Sequence, residues 1–560
     1  MRSKLLVLAS LFLLFFSVYA WGEQNFGPDV ETDTTNYFTI QNFFLSPLQL
    51  TDYNFLGGGA RARAMGGAYL GISNDPSAAS WNPAGLSQIE KSQMLLNFSS
   101  YMYRSDIASS ANGLNFNYSD KLKQDKNSIS FASIAIPFKI REKELVGSVL
   151  FQKLADIYKE NRYYFIADMA FILNPEETGY DILYNYPMGP IIEKTTGSLN
   201  SVNISFAGKA YKTLSLGLGV NIYGGNFTSD ASYFRPMVSI FSISGNAILM
   251  NDTTGLNGYG YRFRPHIKSD YSGANLTFGT MYKLNRFSLG AVIKTPFTLK
   301  EKIDAKLYTD VIEDGVLLET ASILASPFFY TDRKWKMPLM IGVGGAYQLS
   351  ALTLSADLEY RGYSKTEVTY RRNIADPSDV QITSGGYVTN KWWGKEGNTP
   401  PAVASLSWRN VTQFRIGGEY MVNTRYGKIP LRAGFRNDPQ PYTAQVDPSD
   451  IYLRMDMYVS GSDTGYSPAF IQSNNGTKQG SWINGNIISL GTGVAWTQIK
   501  LDITFEYASY PDVKKATSTD WITFDRGNRV LQESFLKHTF STEETKNHYS
   551  RIMVSFTGSF

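Results

Sequence analysis

Arg551-Ile552-Met553-Val554-Ser555-Phe556-Thr557-Gly558-Ser559-Phe560 closes the chain. Ile552, Val554, Phe556 and Phe560 share one parity, with Gly558 in the same row. Arg551, Ser555, Thr557 and Ser559 share the other. Successive side chains of a strand point to opposite faces, so this stretch has one apolar and one polar face. A soluble protein seldom ends on a bare aromatic strand, because the open edge invites further pairing. A closed barrel has no open edge, since its last strand pairs with its first. The expected fold is all-β, a transmembrane antiparallel β-barrel.

The same alternation recurs upstream. Leu214, Leu216, Leu218, Val220 and Ile222 alternate with Ser215, Gly217, Gly219, Asn221 and Tyr223. Leu352, Leu354, Ala356, Leu358 and Tyr360 alternate with Thr353, Ser355, Asp357, Glu359 and Arg361. Leu431, Ala433 and Phe435 alternate with Arg432, Gly434 and Arg436, and Leu501, Ile503, Phe505 and Tyr507 with Asp502, Thr504 and Glu506. Parity alone fits a soluble sandwich as well as a barrel with lipid outside and a polar lumen.

The connections separate the two. Short links fall at Phe138 to Leu145, Ala210 to Leu214, Tyr282 to Phe287, Gln348 to Ala351, Met421 to Ile429 and Trp496 to Lys500. Long polar stretches lie between them: Leu154–Asn200, Gly224–Asp270, Thr298–Met337, Gly362–Val411, Asp438–Asn486 and Ser509–His548. Long structureless loops are uncommon inside a compact soluble domain. Bacterial barrels place short turns on the periplasmic side and long loops outside. Six short-turn pairs and a closing strand leave one strand before Ser128, placed near Gln93–Tyr103, for a total of about fourteen. Gly113–Tyr118 reads as a further strand or as the tip of the first hairpin.

Composition agrees with one large β structure. The 560 residues include 48 Gly, 36 Tyr and 34 Phe, with 14% aromatics. Aromatics favour pleated surfaces, and Gly favours turns and close backbone approach. A net charge of +4 leaves no nucleic-acid footprint. Absence of Cys removes disulfides, thiolate metal sites and Cys nucleophiles. His266, His538 and His548 lie far apart in sequence, so no metal site and no cofactor is expected. No Gly-x-Ser-x-Gly elbow is present, and Gly217-x-Gly219 and Gly491-x-Gly493 sit inside strands without the later Gly of a phosphate loop. The chain does not read as an enzyme.

The first residues read as a secretory signal. Arg2 and Lys4 precede an apolar run from Leu5 to Phe16, and Val18-Tyr19-Ala20 places a cleavage site before Trp21. The run is too short to span a bilayer, which needs about 20 residues. Between this signal and the first strand lies Trp21 to Glu90. A barrel of this size has an interior wider than side chains fill, so an inserted plug is expected. The boundaries are a signal peptide at 1–20, an N-terminal extension at 21–56, a hatch at 57–90, and a barrel with long extracellular loops at 91–560.

The hatch stretch runs Gly57-Gly58-Gly59-Ala60-Arg61-Ala62-Arg63-Ala64-Met65-Gly66-Gly67-Ala68-Tyr69-Leu70-Gly71. It continues through Asn74-Asp75-Pro76-Ser77 to Trp81-Asn82-Pro83-Ala84. Small residues permit close packing, and Asn-Pro initiates turns. In order, Gly66-Gly67, Asp75-Pro76 and Asn82-Pro83-Ala84 resemble the N-terminal hatch of FadL-type outer-membrane transporters of long-chain fatty acids and aromatic hydrocarbons. Trp408-Arg409-Asn410, Gly417-Gly418-Glu419-Tyr420 and Leu431-Arg432-Ala433-Gly434-Phe435 are similar to strand blocks of that family, as is Leu354-Ser355-Ala356-Asp357-Leu358-Glu359-Tyr360. Terminal Phe560 looks like the sorting signal that the outer-membrane assembly machinery reads in Gram-negative barrels.

The resemblance implies a fourteen-strand barrel in the Gram-negative outer membrane, closed by the hatch and embedded in lipid. It implies uptake of a hydrophobic small molecule, with release through a gap in the wall. In that scheme Arg415, Arg432 and Arg436, on lumen parity, are candidate cations for a ligand head group; wall-to-wall ion pairing is their other reading. Gly147, in the third strand, is the candidate for the lateral gap, or an ordinary strand glycine. The extension before the hatch and the long loops depart from the family pattern. The alternative function is a scaffold or secretion-associated barrel that binds partner proteins.

Overall fold

The computed structural model describes residues 54–111, 116–172, 181–236, 241–243, 246–248, 259–313, 316–324, 330–372, 402–405, 408–425, 427–443, 482–511, 513–519, 525–526, 529–530 and 539–560. The expected signal peptide at 1–20, most of the expected extension at 21–56 and parts of the long stretches read as loops therefore lie outside the described residues.

Fourteen antiparallel strands close on themselves. They are β1 (Gln93–Ala111), β2 (Phe116–Ile140), β3 (Lys143–Ile172), β4 (Asp181–Lys209), β5 (Leu214–Pro236) and β6 (Tyr259–Leu284). β7 runs Phe287–Lys294 and, past Thr295-Pro296, Phe297–Glu313; β8 runs Tyr330–Met337 and, past Pro338, Met340–Leu349. β9 comprises Leu352–Arg361 and Glu367–Arg372, and β10 Ala402–Ser405 and Val411–Thr424. β11 (Gly427–Thr443), β12 (Trp482–Ala495), β13 (Ile499–Ser509 with Val513–Thr519) and β14 (Thr539–Ser559) complete the ring. Each strand pairs with its chain neighbour, and β14 pairs with β1 from Gln93↔Ser559 to Ala111↔Ser541. The last residues are thus an internal strand, as their parity requires.

Parity decides which side each residue takes. Leu216, Leu218, Val220, Ile222, Leu354, Leu358, Phe505 and Phe556 face outward and are exposed. Asn221, Ser355, Asp357, Glu359, Arg432, Glu506 and Ser555 face inward and are buried. The apolar atoms are on the outside, the reverse of a soluble sandwich. No helix among the described residues is long and apolar enough to cross a membrane.

The short links hold. Arg141-Glu142, Asn285-Arg286 and Ser350-Ala351 form two-residue turns, with positive φ at Arg141 (55°), Asn285 (55°) and Ser350 (44°). Such turns match the twist of the strands they join. Two readings change. Of Gly113–Tyr118, Phe116–Tyr118 belong to β2 and pair with β1, so they are no separate strand, and residues 113–115 lie outside the described residues. The stretches read as long loops are in large part strand: β3 continues to Ile172 and β4 starts at Asp181. Away from lipid neither face must be apolar, so the alternation fades while ladder hydrogen bonding continues.

Candidate functional site

Residues 54–90 lie inside the ring and touch its inner face nearly all the way round. Ala60 N–H donates to Ser555 Oγ on β14 (2.9 Å), and Thr504 Oγ1 on β13 donates to the Ala60 carbonyl (2.7 Å). Gly66 N–H donates to Ser489 Oγ on β12 (3.0 Å). Tyr69 and Leu70 N–H both donate to Asp357 Oδ2 on β9 (2.7 and 2.9 Å). On the other side, Ser87 Oγ bonds Ser215 Oγ on β5, Ser133 Oγ on β2 donates to the Pro76 carbonyl, and Gln152 Nε2 on β3 donates to the Leu56 carbonyl.

The hatch-motif residues have distinct parts in this packing. Gly66 (φ 67°) and Gly67 (φ 82°) make the left-handed turn that ends the short helix Ala60–Ala64. Asp75 Oδ1 accepts from Ser77 N–H (2.9 Å), and its Oδ2 accepts from the Tyr69 hydroxyl (2.5 Å), tying the turn at Pro76 together. Burial holds the Tyr69 phenol well above its usual range, and the Asp75 carboxylate adds to the rise. Asn82 is fully buried. Its Nδ2 donates to the carbonyls of Leu70 (3.0 Å) and Thr280 on β6 (2.9 Å), and its Oδ1 accepts from Ala84 N–H (3.2 Å). Pro83 opens the 3-10 turn Pro83–Gln88, where its missing N–H costs nothing.

A belt of inward glycines receives this segment, and strand parity hinted at it without revealing its purpose. Gly217, Gly279, Gly290, Gly417 and Gly434 stand on five strands. A Cβ there would come within 2.3 Å of Ala84 N, 2.3 Å of Asn82 Oδ1, 2.0 Å of Leu70 O, 2.2 Å of Met65 O and 2.0 Å of Gly66 N. Only backbone without a side chain lets the segment approach this closely. The legible signal was Gly recurring on the polar parity of successive strands.

All three lumen arginines are buried against carboxylates. Arg415 Nη2 lies 2.6 Å from Glu359; Arg432 bridges Glu419 (2.6 Å) and Asp502 (2.7 Å); Arg436 meets Glu506 (2.6 Å). Two arginines of the N-terminal segment join the same carboxylates. Arg61 pairs with Glu419 through two bonds of 2.9 Å, and Arg63 with Glu506 at 3.0 and 2.8 Å. A further cation that sequence reading missed is Lys294 on β7, whose Nζ lies 3.3 Å from the Ser80 carbonyl.

Outward of the segment the lumen is apolar and aromatic. Phe55, Leu199, Tyr223, Phe227, Tyr271, Leu299, Trp335, Met337, Tyr363 and Val411 form one buried cluster, flanked by Leu154, Phe297, Trp408 and Tyr442. Tyr223 stacks on Phe297 at 4.5 Å. The Glu301 carboxylate fixes two of these rings, accepting from Tyr271 OH (2.7 Å) and Trp335 Nε1 (3.0 Å) as well as from Arg333 (2.7 and 2.8 Å). At its base is a cavity of about 30 Å³, lined in part by Leu56, Leu150, Gln152, Leu154, Lys294 and Met337. That is room for about one water.

The cavity adjoins a break in the wall. β2 and β3 pair from Ile140↔Lys143 only as far as Phe131↔Gln152. Beyond that rung β2 stays paired with β1, and β3 with β4, but no rung joins β2 to β3 among the described residues. A register shift lies at the break on each side: Ser130 is skipped opposite β1, and Leu154 opposite β4. Bulges of this kind bend a strand and end pairing. Gly147 lies elsewhere. It pairs with Ile136 on one side and Phe206 on the other, within an unbroken ladder. Phe560 is exposed, and its N–H donates to the Ser92 carbonyl (2.9 Å).

The geometry defines a closed fourteen-strand antiparallel barrel with an apolar exterior, and its fold is that of the FadL-type barrels. A FadL homologue of Pseudomonas aeruginosa superposes with a TM-score of 0.51, covering 90% of this chain and 98% of that one at 13% identity. The Pseudomonas putida toluene transporter TodX (14% identity, TM-score 0.43, 90% and 99% covered) and the Ralstonia pickettii toluene transporter TbuX (14%, 0.41, 91% and 100%) are more distant in shape. No family model and no curated protein matches the sequence.

Proposed function

We propose that the chain is an outer-membrane transporter that takes up hydrophobic small molecules such as long-chain fatty acids or aromatic hydrocarbons. Residues 57–90 act as its hatch. The observation that carries this reading is the aromatic layer above the hatch, adjoining the place where β2 and β3 part. A hydrated pore offers an apolar ligand no advantage over water. An aromatic lumen does, at about 0.8 kcal/mol per buried methylene. With the glycine belt filled by backbone, the way straight through is closed, and the β2–β3 break is the way out into lipid. The interior, filled by hatch and aromatics, does not favour a scaffold whose lumen holds a partner protein.

Uptake of radiolabelled fatty acid or toluene by a deletion strain carrying the gene is the test. Uptake should be restored by the wild-type chain. It should be lost when a disulfide between Ser130→Cys and Lys153→Cys ties β2 to β3, and recovered on reduction. Full uptake through the oxidised variant would remove lateral release. No uptake by correctly assembled wild type would remove the transport reading.

A further inference from the structure

The short-turn end of the barrel carries a charge that the rest of the molecule does not. Across residues 139–144, 209–213, 283–286, 425–428 and 496–500, Lys and Arg outnumber carboxylates ten to two, in a chain whose net charge is only +4. One of these cations is neutralised locally, as Lys139 lies 3.0 Å from Glu144. Arg141, Lys143, Lys209, Lys212, Lys283 and Arg286 form no ion pair among the described residues, and all six are exposed.

These six sit on three neighbouring turns. Leu145 on β3 pairs with Gly208 on β4, which brings the β2–β3 turn alongside the β4–β5 turn, with Glu144 near Lys209 and Lys143 one position further out. Lys283 N–H donates to the Thr213 carbonyl at 2.8 Å, which brings the β6–β7 turn against the β4–β5 turn. The result is a continuous basic arc. Immediately beside it, Ile140, Phe206, Tyr211, Tyr282 and Phe287 are exposed. That apolar and aromatic band belongs at a bilayer boundary and sets the depth of the arc. The cations then lie at head-group level, with their aliphatic stems along the band.

We infer that this arc binds the anionic head groups of phospholipids in the leaflet facing the short turns. The inference rests on the reading that the barrel spans a membrane. A phosphodiester offers charged acceptors to ammonium and guanidinium donors, and a net negative lipid is attracted where a zwitterionic one is not. The adjoining apolar band favours a lipid over a soluble anion or an anionic polymer, because neither of those covers it.

The full chain reconstituted in nanodiscs of phosphatidylcholine and phosphatidylglycerol provides the test. Lipids retained on extraction are read by native mass spectrometry. The expected result is an enrichment of phosphatidylglycerol of about five-fold, falling towards none in high salt, where charges are screened within about 3 Å at 1 M. The variant R141Q/K143Q/K209Q/K212Q/R286Q should lose the enrichment. Wild type without enrichment, or enrichment unchanged by high salt, overturns the inference even if the variant fails to fold. An enrichment that persists in a folded variant overturns it too, as does displacement by millimolar glycerol phosphate or variant-sensitive binding to peptidoglycan sacculi. The readout requires no ligand uptake, so failure of the transport reading leaves it standing, and its own failure leaves uptake untouched.

Discussion

Two arcs of the inner wall hold the same segment by different chemistry. From β9 to β13 the wall presents Asp357, Glu359, Arg361, Arg415, Glu419, Arg432, Arg436, Asp438, Asp502 and Glu506, all buried. From β2 to β6 the buried polar groups among the described residues are neutral: Ser133, Ser148, Gln152, Asn203, Asn221, Asn275 and Thr277 among them. Arg61 and Arg63 anchor the N-terminal segment to the charged arc. The neutral arc meets it with hydroxyls, amides and backbone carbonyls, and it alone contains the β2–β3 break. Buried ion pairs are directional and expensive to break singly, whereas neutral hydrogen bonds contribute about 1 kcal/mol each. On the proposed reading of lateral release, the charged arc is the fixed frame and the neutral arc the side that parts.

This contrast can be broken by substitution. Glu506→Ala should have the largest effect, leaving Arg63 and Arg436 facing each other without their shared carboxylate. The expected loss is about 3–5 kcal/mol, read as a lower urea midpoint of the folded barrel. Gly434→Val should come next. Its side chain would collide with Gly66 and displace the segment, at a cost of about 1–3 kcal/mol and with new protease cleavage near residues 57–70. Asn82→Ala removes two donors and one acceptor and should cost about 1–3 kcal/mol, with reduced uptake in the assembled protein. Asn221→Ala, on the neutral arc, should be the mildest at about 1 kcal/mol, because Asn203 keeps its bond with Ser205 and Asn275 its bonds with Tyr223 and Thr295. Equal effects of Glu506→Ala and Asn221→Ala would erase the distinction between the arcs.

Much of the barrel was legible residue by residue. The outward rows, the six short turns and the closing role of the last strand follow from parity and connection length. The outer halves of β3 and β4 were not, because beyond the lipid no solvent difference marks one face from the other. Asn82 and Asp75 were legible as turn residues; their reach to Leu70, Thr280 and Tyr69 was not. Arg415, Arg432 and Arg436 were placed on the lumen side correctly, but parity says nothing of partners on strands 13, 56 or 70 residues away in the chain, and less of Arg61 and Arg63 coming from within.

The primary structure set a two-faced strand repeated around a closed ring, because a period of two and the contrast between lipid and lumen act on each strand separately. It also set the basic turns and the small-residue run before β1. Only the assembled ring decided which charges neutralise which, where the β2–β3 ladder ends, and that five glycines on five strands stand against the segment between Met65 and Ala84. Those facts depend on register and on strands remote in sequence meeting across a lumen, and no local rule of polarity or propensity encodes them.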